Sequence, residues 1–412
     1  MADAGRLERL VTDVYWRAGS PLAQAAERVL GARAGKLLGA HAHSPVPAGL
    51  VETRDFAGWT SFLCDKIPHT PFALRSRATR WTDHALGRAA GRIASESGSA
   101  LLSYSYYGHS AFSAASPETP RLLFQLHPHP RSMRQILRRE LADHPECADS
   151  LEKEWELALS EADFERLCEE PRMAQHWIAA SSFTRDTLVE NGAPAEQVHV
   201  APYGVNLERF HPGEDLFPTS GSRPLRILFV GTVNQRKGIK YLLEAVRMLG
   251  TSQIELVIRG RAVDDLQLVR KLVPNADIRL SVSHEELLAA YRSSDLFVFP
   301  SIGEGFGHVL LESLASGLPV LSTTSTAAPD LITEGVDGFV IAPRQAGSIA
   351  ERLEWALTHR GELARMRIAA RRKAETFTWL RFRRRMLDIV DAALTAHEPE
   401  LLAASHIEMT HD

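Results

Sequence analysis

Cysteine, charge of one sign and long apolar runs are all scarce in this chain. Its three cysteines, Cys64, Cys147 and Cys168, are odd in number, far apart and free of any CxxC pair. A disulfide framework and a regular metal site are therefore both unindicated, no metal is expected, and a reducing cytoplasm is the simpler setting. A formal net charge of -4 offers no global attraction to nucleic acid or anionic lipid, so no nucleic-acid partner is expected. No uninterrupted apolar run approaches the roughly 18 residues of a membrane span. The N-terminus, MADAGRLERLVTDVYW, has no apolar core of a secretory leader, and a soluble or peripheral protein is expected. Internal repeats and low-complexity segments are also missing.

What is present is ordinary globular composition, 44% hydrophobic and 24% charged over 412 residues, which is long enough for two domains. From about residue 225 the chain alternates short β-branched runs with amphipathic segments, the pattern of parallel strands joined by helices. LRILFVG (225–231), IELVIRG (254–260), IRLSV (278–282), DLFVFPS (295–301) and PVLSTT (319–324) read as strands. KGIKYLLEAVRML (237–249), DDLQLVRKLV, HEELLAAYRSS and VLLESLASG read as the helices between them. The class is therefore α/β, with a doubly wound sheet whose ligands lie at the carboxyl ends of its strands.

The first half is less regular. TPRLLFQLHP (119–128) and HWIAASSFTRDTL (176–188) read as strand-to-loop and strand-to-helix passages, and HVAPYGV (199–205) as a last strand. ECADSLEKEWELALSEADFERLCEE reads as a long charged helix or helix pair. The expected division is a first domain over 1–205, a proline- and glycine-rich linker over 206–224, and a second domain over 225–376. A helix over 377–396 and a frayed tail over 397–412 complete it.

Chemistry concentrates in PSIGEGFGHVLLESLASGLPV (300–320), where Glu304 stands among Gly303, Gly305 and Gly307 and Glu312 follows eight residues later. The glycines allow positive φ and close approach of backbone to a ligand, so Glu304 belongs to a loop after a strand. The residues from His308 form a helix that stops at Gly317 and Pro319. The helix N-terminus between the acids suits phosphate. A sugar–diphosphate–ribose compound matches the order of groups, with Glu312 gripping a diol. The alternative is a pair of ordinary exposed glutamates.

ILFVGTVNQRKGIKYLLEA repeats the logic: a buried strand, Gly231, a polar loop and Arg236-Lys237-Gly238 before a helix. Both cations can meet phosphate oxygens. The spacing differs from a P-loop and no Ser or Thr follows the lysine. A basic pair on a solvated helix start is the alternative.

Taken together, the strand–GxxxxxKG–helix unit and the later PSxxEGFGxxxLExxAxGxPV resemble the C-terminal domain of the family-four retaining glycosyltransferases, the group that includes bacterial glycogen and sucrose-phosphate synthases. The likeness is specific from about Leu225 to Pro343 and extends through FTW (377–379) to the last helix. AASSFTRDTLVENGAPAEQVHVAPYGVNLERFHP is a weaker echo of the passage into the linker. The resemblance implies a GT-B fold of two Rossmann-like domains, with the final helix crossing back to the first. It also implies a UDP- or GDP-linked sugar as donor, no further cofactor, and a glycan, lipid-linked or small-molecule acceptor. Carried over by position, Glu304 would contact the donor sugar, and Gly305, Phe306 and Gly307 would bring backbone amides against sugar and diphosphate. Gly231, Thr232, His308 and Val309 would line the donor site, Glu312 would bind ribose, and Lys237 with Arg236 would hold the diphosphate. Arg259 and Val282 to His284 would border the base.

Three departures stand out. Many members carry arginine directly after the first-turn glycine, where this chain has Thr232. A glycine pair common after the PV strand is replaced by Ala327 and Ala328 in TSTAAPD. No strand followed by a Gly-Gly loop is legible near the N-terminus, so the chain reads as beginning inside the first domain, with an acceptor site incomplete or differently built.

In the family a first-domain histidine approaches the donor sugar. His127 in LLFQLHPHPR is the foremost candidate, with His129 beside it and His109 in SYSYYGHSAF as a further one. The alternative for each is a loop histidine with one ring nitrogen hydrogen-bonded. Zinc is not indicated, because no HExxH or cysteine partner accompanies the HPHP cluster. His308, four residues before Glu312, is expected to orient that glutamate. RFRRR (381–385) and RMRIAARRK (365–373) would allow peripheral contact with anionic lipid, or are solvated helix faces. The expected activity is a metal-independent, retaining, hexosyltransferase-type transfer from a nucleotide sugar to an acceptor hydroxyl. The alternative is a catalytically silent partner subunit of the same fold.

Overall fold

The computed structural model describes residues 5–12, 46, 48–53, 72–213, 223–250, 252–263 and 266–408. The middle of the expected linker, the start of the expected helix DDLQLVRKLV, Cys64 and the last four residues lie outside them. The chain divides into two compact units, one of Met1–Phe124, Glu169–His176 and Ile389–Asp412, the other of Gln125–Cys168 and Trp177–Asp388.

In the first unit, β1 (Leu10–Thr12) pairs in parallel with β2 (Val51–Thr53). This short early strand was not legible in the sequence. Helix α1 (Phe72–Ser97) is followed by β3 (Leu101–Tyr104), α2 (Gly108–Ala114) and β4 (Arg121–Gln125), with β3 and β4 parallel. Gly87 and Gly91 let α1 meet α2 closely; a Cβ at Gly91 would fall 2.3 Å from the Ala111 carbonyl oxygen.

The second unit opens with α3 (Pro130–Asp143), α4 (Ala148–Leu151), α5 (Trp155–Ala158) and α6 (Glu161–Glu169). The long charged helix expected over 146–170 is thus broken into short pieces. Trp155, at the start of α5, is exposed, so the periodicity lacked a continuous apolar stripe. Strand β5 (His176–Ala179) runs into α7 (Ser182–Glu190), whose N-terminus is capped by Ser181 accepting from the Thr184 N–H. Strand β6 (Val198–Val200) pairs with β5, and the expected strand over 199–205 ends there.

The remaining elements are β7 (Leu225–Val233), α8 (Ile239–Leu249), β8 (Ile254–Ala262), α9 (Gln267–Leu272), β9 (Asp277–Leu280), α10 (His284–Ser293), β10 (Leu296–Phe299), α11 (His308–Ala315), β11 (Val320–Thr323), α12 (Ala328–Leu331), β12 (Gly338–Ile341), α13 (Ala346–Thr358), α14 (Arg360–Glu375) and α15 (Trp379–Glu408). Strands β7 to β12 form one parallel sheet in the order β12-β11-β10-β7-β8-β9. β7 to β9 therefore wind outward on one side, and the chain then crosses back to place β10 on the other side of β7. That reversal opens a crevice at the carboxyl ends of β7 and β10. The strands are continuous apolar runs because both faces are covered: Ile227, Leu228, Phe229, Phe297 and Val298 are wholly buried.

Helix α11 ends as its sequence indicates. Gly317 has φ 69°, its N–H donates to Leu314 O at 3.0 Å, and the Leu318 N–H donates to Ser313 O at 2.9 Å, the paired bonds of a Schellman stop. Helix α15 extends to Glu408 rather than ending near 396. Its residues to Asp388 count with the second unit. In the first unit, its Val390 and Ala393 pack with Leu122. No helix among the described residues is long and apolar enough to cross a membrane.

Candidate functional site

Two strand-to-helix turns meet at the reversal between β7 and β10. The first begins later than the pattern predicted, because β7 runs on through Gly231 and Thr232 to Val233. Asn234 then caps a single turn, its side-chain oxygen accepting from the Lys237 N–H at 3.0 Å. Gly238 closes the turn at φ 72°, and a Cβ there would fall 2.0 Å from the Pro300 carbonyl oxygen. Glycine is required on both counts, and its absence of a side chain lets the β7 turn touch the β10 loop.

The second turn is Pro300–Gly307. Ile302 N–H and Ser301 Oγ both donate to the Arg236 carbonyl at 3.0 Å, which fixes this loop to the first turn. Glu304 N–H donates to Ser325 O at 3.0 Å, so the TSTAAPD segment also positions the acid. Gly305 packs where a Cβ would lie 2.0 Å from Leu126 O and 3.1 Å from the His127 Cα. Its carbonyl accepts from Ser181 Oγ at 2.5 Å and Thr184 Oγ1 at 3.1 Å. Gly307, at φ 82°, starts α11.

Lys237 Nζ forms a direct ion pair with Glu304. The lysine side chain is 19% exposed and the glutamate 15%. Burial, then the adjacent Arg236, pull the lysine below its ordinary pKa, while Glu154 and Glu156 act in the other sense. The Glu304 carboxylate at contact distance adds to that opposing effect. Nζ also stands 5.6 Å from the centre of the Phe299 ring.

Arg236 is fully engaged. Its Nε donates to Gly303 O at 3.1 Å, and Nη1 meets Glu154 at 2.9 Å and Glu156 at 3.5 Å. The guanidinium therefore ties the Glu304 loop to the α4–α5 segment. Glu154 also accepts from Asn234 Nδ2 at 2.7 Å. These acids gave no sequence signal beyond the charge of their segment.

His127 comes to the crevice and His129 does not. The His127 imidazole is held down at about 4, by burial first and then by the Arg236 cation, so it is neutral at pH 7. His129 is buried at the start of α3, where its ring accepts from the Arg131 N–H at 3.2 Å and its backbone N–H donates to Thr187 Oγ1. It is a helix cap. His109 belongs to the first unit, with its ring 3.3 Å from Glu169 and its backbone N–H on Glu170. Glu170, buried there, is pushed up to about 7 by desolvation, against bonds from the Tyr106, His109 and Gly108 N–H groups.

Glu312 lies on α11 and accepts from the Tyr291 hydroxyl at 3.0 Å. Burial raises its pKa, and the Tyr291 bond and Arg209 partly offset that. Among the described residues no hydrogen bond joins His308 to Glu312. The His308 ring stacks on Tyr203 with centroids 4.6 Å apart, and Tyr203 also meets the edge of Phe306 at 5.0 Å. Val309 is half-buried on the first turn of α11. Arg259, buried on β8, is bound to Asp277 Oδ2 at 2.6 Å and to the Ile258 and Asp277 carbonyls. Val282 stands in the loop between β9 and α10.

The crevice thus combines a cation, a neutral imidazole, a helix N-terminus and two carboxylates. Residues 217–373 match the family described as glycosyl transferases group 1. The chain is 31% identical over 189 residues to a GDP-mannose-dependent alpha-mannosyltransferase of Corynebacterium glutamicum, covering 44% of each. It is 32% identical over 256 residues to a D-inositol 3-phosphate glycosyltransferase of Geodermatophilus obscurus, covering 56% of this chain and 55% of that one. The chain spans about half the length of the curated relatives it matches. Sucrose-phosphate synthase of Thermosynechococcus elongatus superposes with a TM-score of 0.60 at 18% identity, over 80% of this chain and 82% of that one. HepE of Anabaena in complex with UDP gives 0.60 at 16% identity, over 93% and 98%. These structural likenesses show the GT-B fold.

Proposed function

We propose that this protein, whose residues 217–373 match the group 1 glycosyltransferases, transfers a sugar from a nucleoside diphosphate sugar to an acceptor hydroxyl. The observation that carries the reading is the meeting of Lys237 and Glu304 at the crevice between β7 and β10. Their ion pair is what the donor would exchange: diphosphate oxygens take Lys237, and hydroxyls of the sugar take Glu304. Charge grows on the diphosphate as the glycosidic bond breaks, so Lys237 and the α11 N-terminus stabilise the departing group more than the bound donor.

Glu312, held by Tyr291, grips the ribose diol. Neutral His127 offers a hydrogen bond to a sugar hydroxyl without repelling Lys237. Arg236 keeps the Glu304 loop in place. Retention of anomeric configuration, independence of metal, and a cytoplasmic setting with peripheral access to a lipid-linked acceptor complete the proposal. One relative's name specifies GDP-mannose and one structural neighbour holds UDP, so both bases belong in the assay.

The test is release of nucleoside diphosphate by the full chain from UDP-glucose and GDP-mannose, with and without acceptor glycans and lipid extracts. Lys237→Met and Glu304→Gln should each lower turnover at least about a hundredfold. Binding of nucleotide with no release from any donor or acceptor would instead support the silent partner subunit.

A further inference from the structure

The cations at the crevice are largely engaged before any donor arrives. Arg236 is bound by Glu154, Glu156 and the Gly303 carbonyl, and Lys237 faces Glu304. A diphosphate at this point would draw on Lys237 and one helix terminus for all of its negative charge. The neighbouring strand holds another cation. Arg261, near the carboxyl end of β8, stands in parallel register with Thr232 on β7. Registered residues on adjacent strands send their side chains to the same face, roughly 5 Å apart.

The two strands are especially close here. Gly231 and Gly260 are also in register, both at φ 148°, and a Cβ on Gly260 would fall 1.9 Å from the Gly231 carbonyl oxygen. Gly231 in turn faces Phe299, the ring beside which Lys237 stands. Arg259, two residues earlier on β8, is occupied by Asp277 and two carbonyls. Arg261 differs: it is exposed, and among the described residues its side chain has no hydrogen bond or ion pair. A guanidinium left free at the ligand edge of a doubly wound sheet is suited to phosphate oxygens.

We propose that Arg261 is the second diphosphate-binding cation of the donor site, supplied from β8 at the level where Thr232 on β7 carries no charge. This rests on the donor reading above. The measurement is calorimetric titration of the full chain with UDP, GDP and the corresponding nucleosides, for the native protein, Arg261→Ala, Arg261→Lys and the double variant Arg261→Ala/Thr232→Arg. The single alanine variant should bind the preferred nucleoside diphosphate at least about tenfold more weakly and the nucleoside unchanged. Lysine should recover part of the affinity, and the double variant should recover more by placing the guanidinium one strand over. Melting temperatures without ligand identify any variant that has failed to fold, in which case the alanine–lysine pair decides. Diphosphate binding within twofold of native in Arg261→Ala overturns this inference and leaves the donor reading intact. Binding of neither UDP nor GDP by the native chain overturns both.

Discussion

Residues 225–343 reach the crevice through the ends of strands, whereas residues 140–156 reach it through side chains alone. The strand ends place Lys237 and Glu304 by backbone geometry: a cap at Asn234, positive φ at Gly238 and Gly307, and a two-bond tether onto the Arg236 carbonyl. The helical segment clamps the same turn with acids. Wholly buried Glu140 accepts from Gln235 Nε2 at 2.5 Å, Tyr241 Oη at 2.7 Å and Arg344 Nε at 2.6 Å. Ser150 Oγ accepts from the Gln235 N–H at 3.3 Å, and Glu154 and Glu156 hold Arg236. Neighbouring cations on one turn are thereby given different work. Arg236 is used in architecture, and Lys237 remains opposite an acid that a ligand can replace.

That contrast can be broken most forcefully at Glu156, whose side chain is 1% exposed. Glu156→Ala leaves Arg236 short of a buried partner and should lower stability by about 2 kcal/mol, read as a fall of about 5 °C in the melting temperature. An unchanged melting temperature would mean the clamp contributes nothing. On the strand-end side, Glu312→Gln should weaken nucleoside diphosphate binding about tenfold through the ribose diol. The same variant should bind the 2′-deoxy nucleotide no more weakly than the native chain does. Equal losses with both sugars would remove ribose from the role of Glu312.

A last test concerns His127 and separates burial from catalysis by pH. Its folded pKa is about 4 against an ordinary 6.5, so between these values the unfolded chain binds more protons. Stability present above pH 6.5 is therefore lost as the pH falls toward 4. His127→Gln should flatten that slope, by at most about 1.4 kcal/mol per pH unit, in urea unfolding followed from pH 7 to pH 4. A slope unchanged by the substitution would place the acid sensitivity elsewhere, for example in other buried histidines.

Legibility followed burial. The strands from Leu225 onward were readable because a sheet covered on both faces needs continuous β-branched runs, and the stop of α11 because only glycine sits easily at Gly317. The segment of α4, α5 and α6 was read as one long charged helix or a helix pair. Its acids are placed for distant partners: Glu154 and Glu156 for Arg236, and Glu161 and Glu165 for Arg134 and Arg131. His127 was read ahead of His129 with no local signal to part them by role; His129 N-caps α3, and His127 faces the cations.

The amino-acid sequence by itself determined the parallel α/β architecture of the second half, the glycine-shaped loop around Glu304 and the basic turn at Lys237. Those features depend on local periodicity and on backbone angles that few residues allow. Only the tertiary structure decided that Lys237 and Glu304 are partners, that Arg236 is held by Glu154 and Glu156, and that Arg261 stands beside Thr232. Ion pairs and strand register join residues distant in the chain, and no local pattern of residues encodes which distant group will arrive.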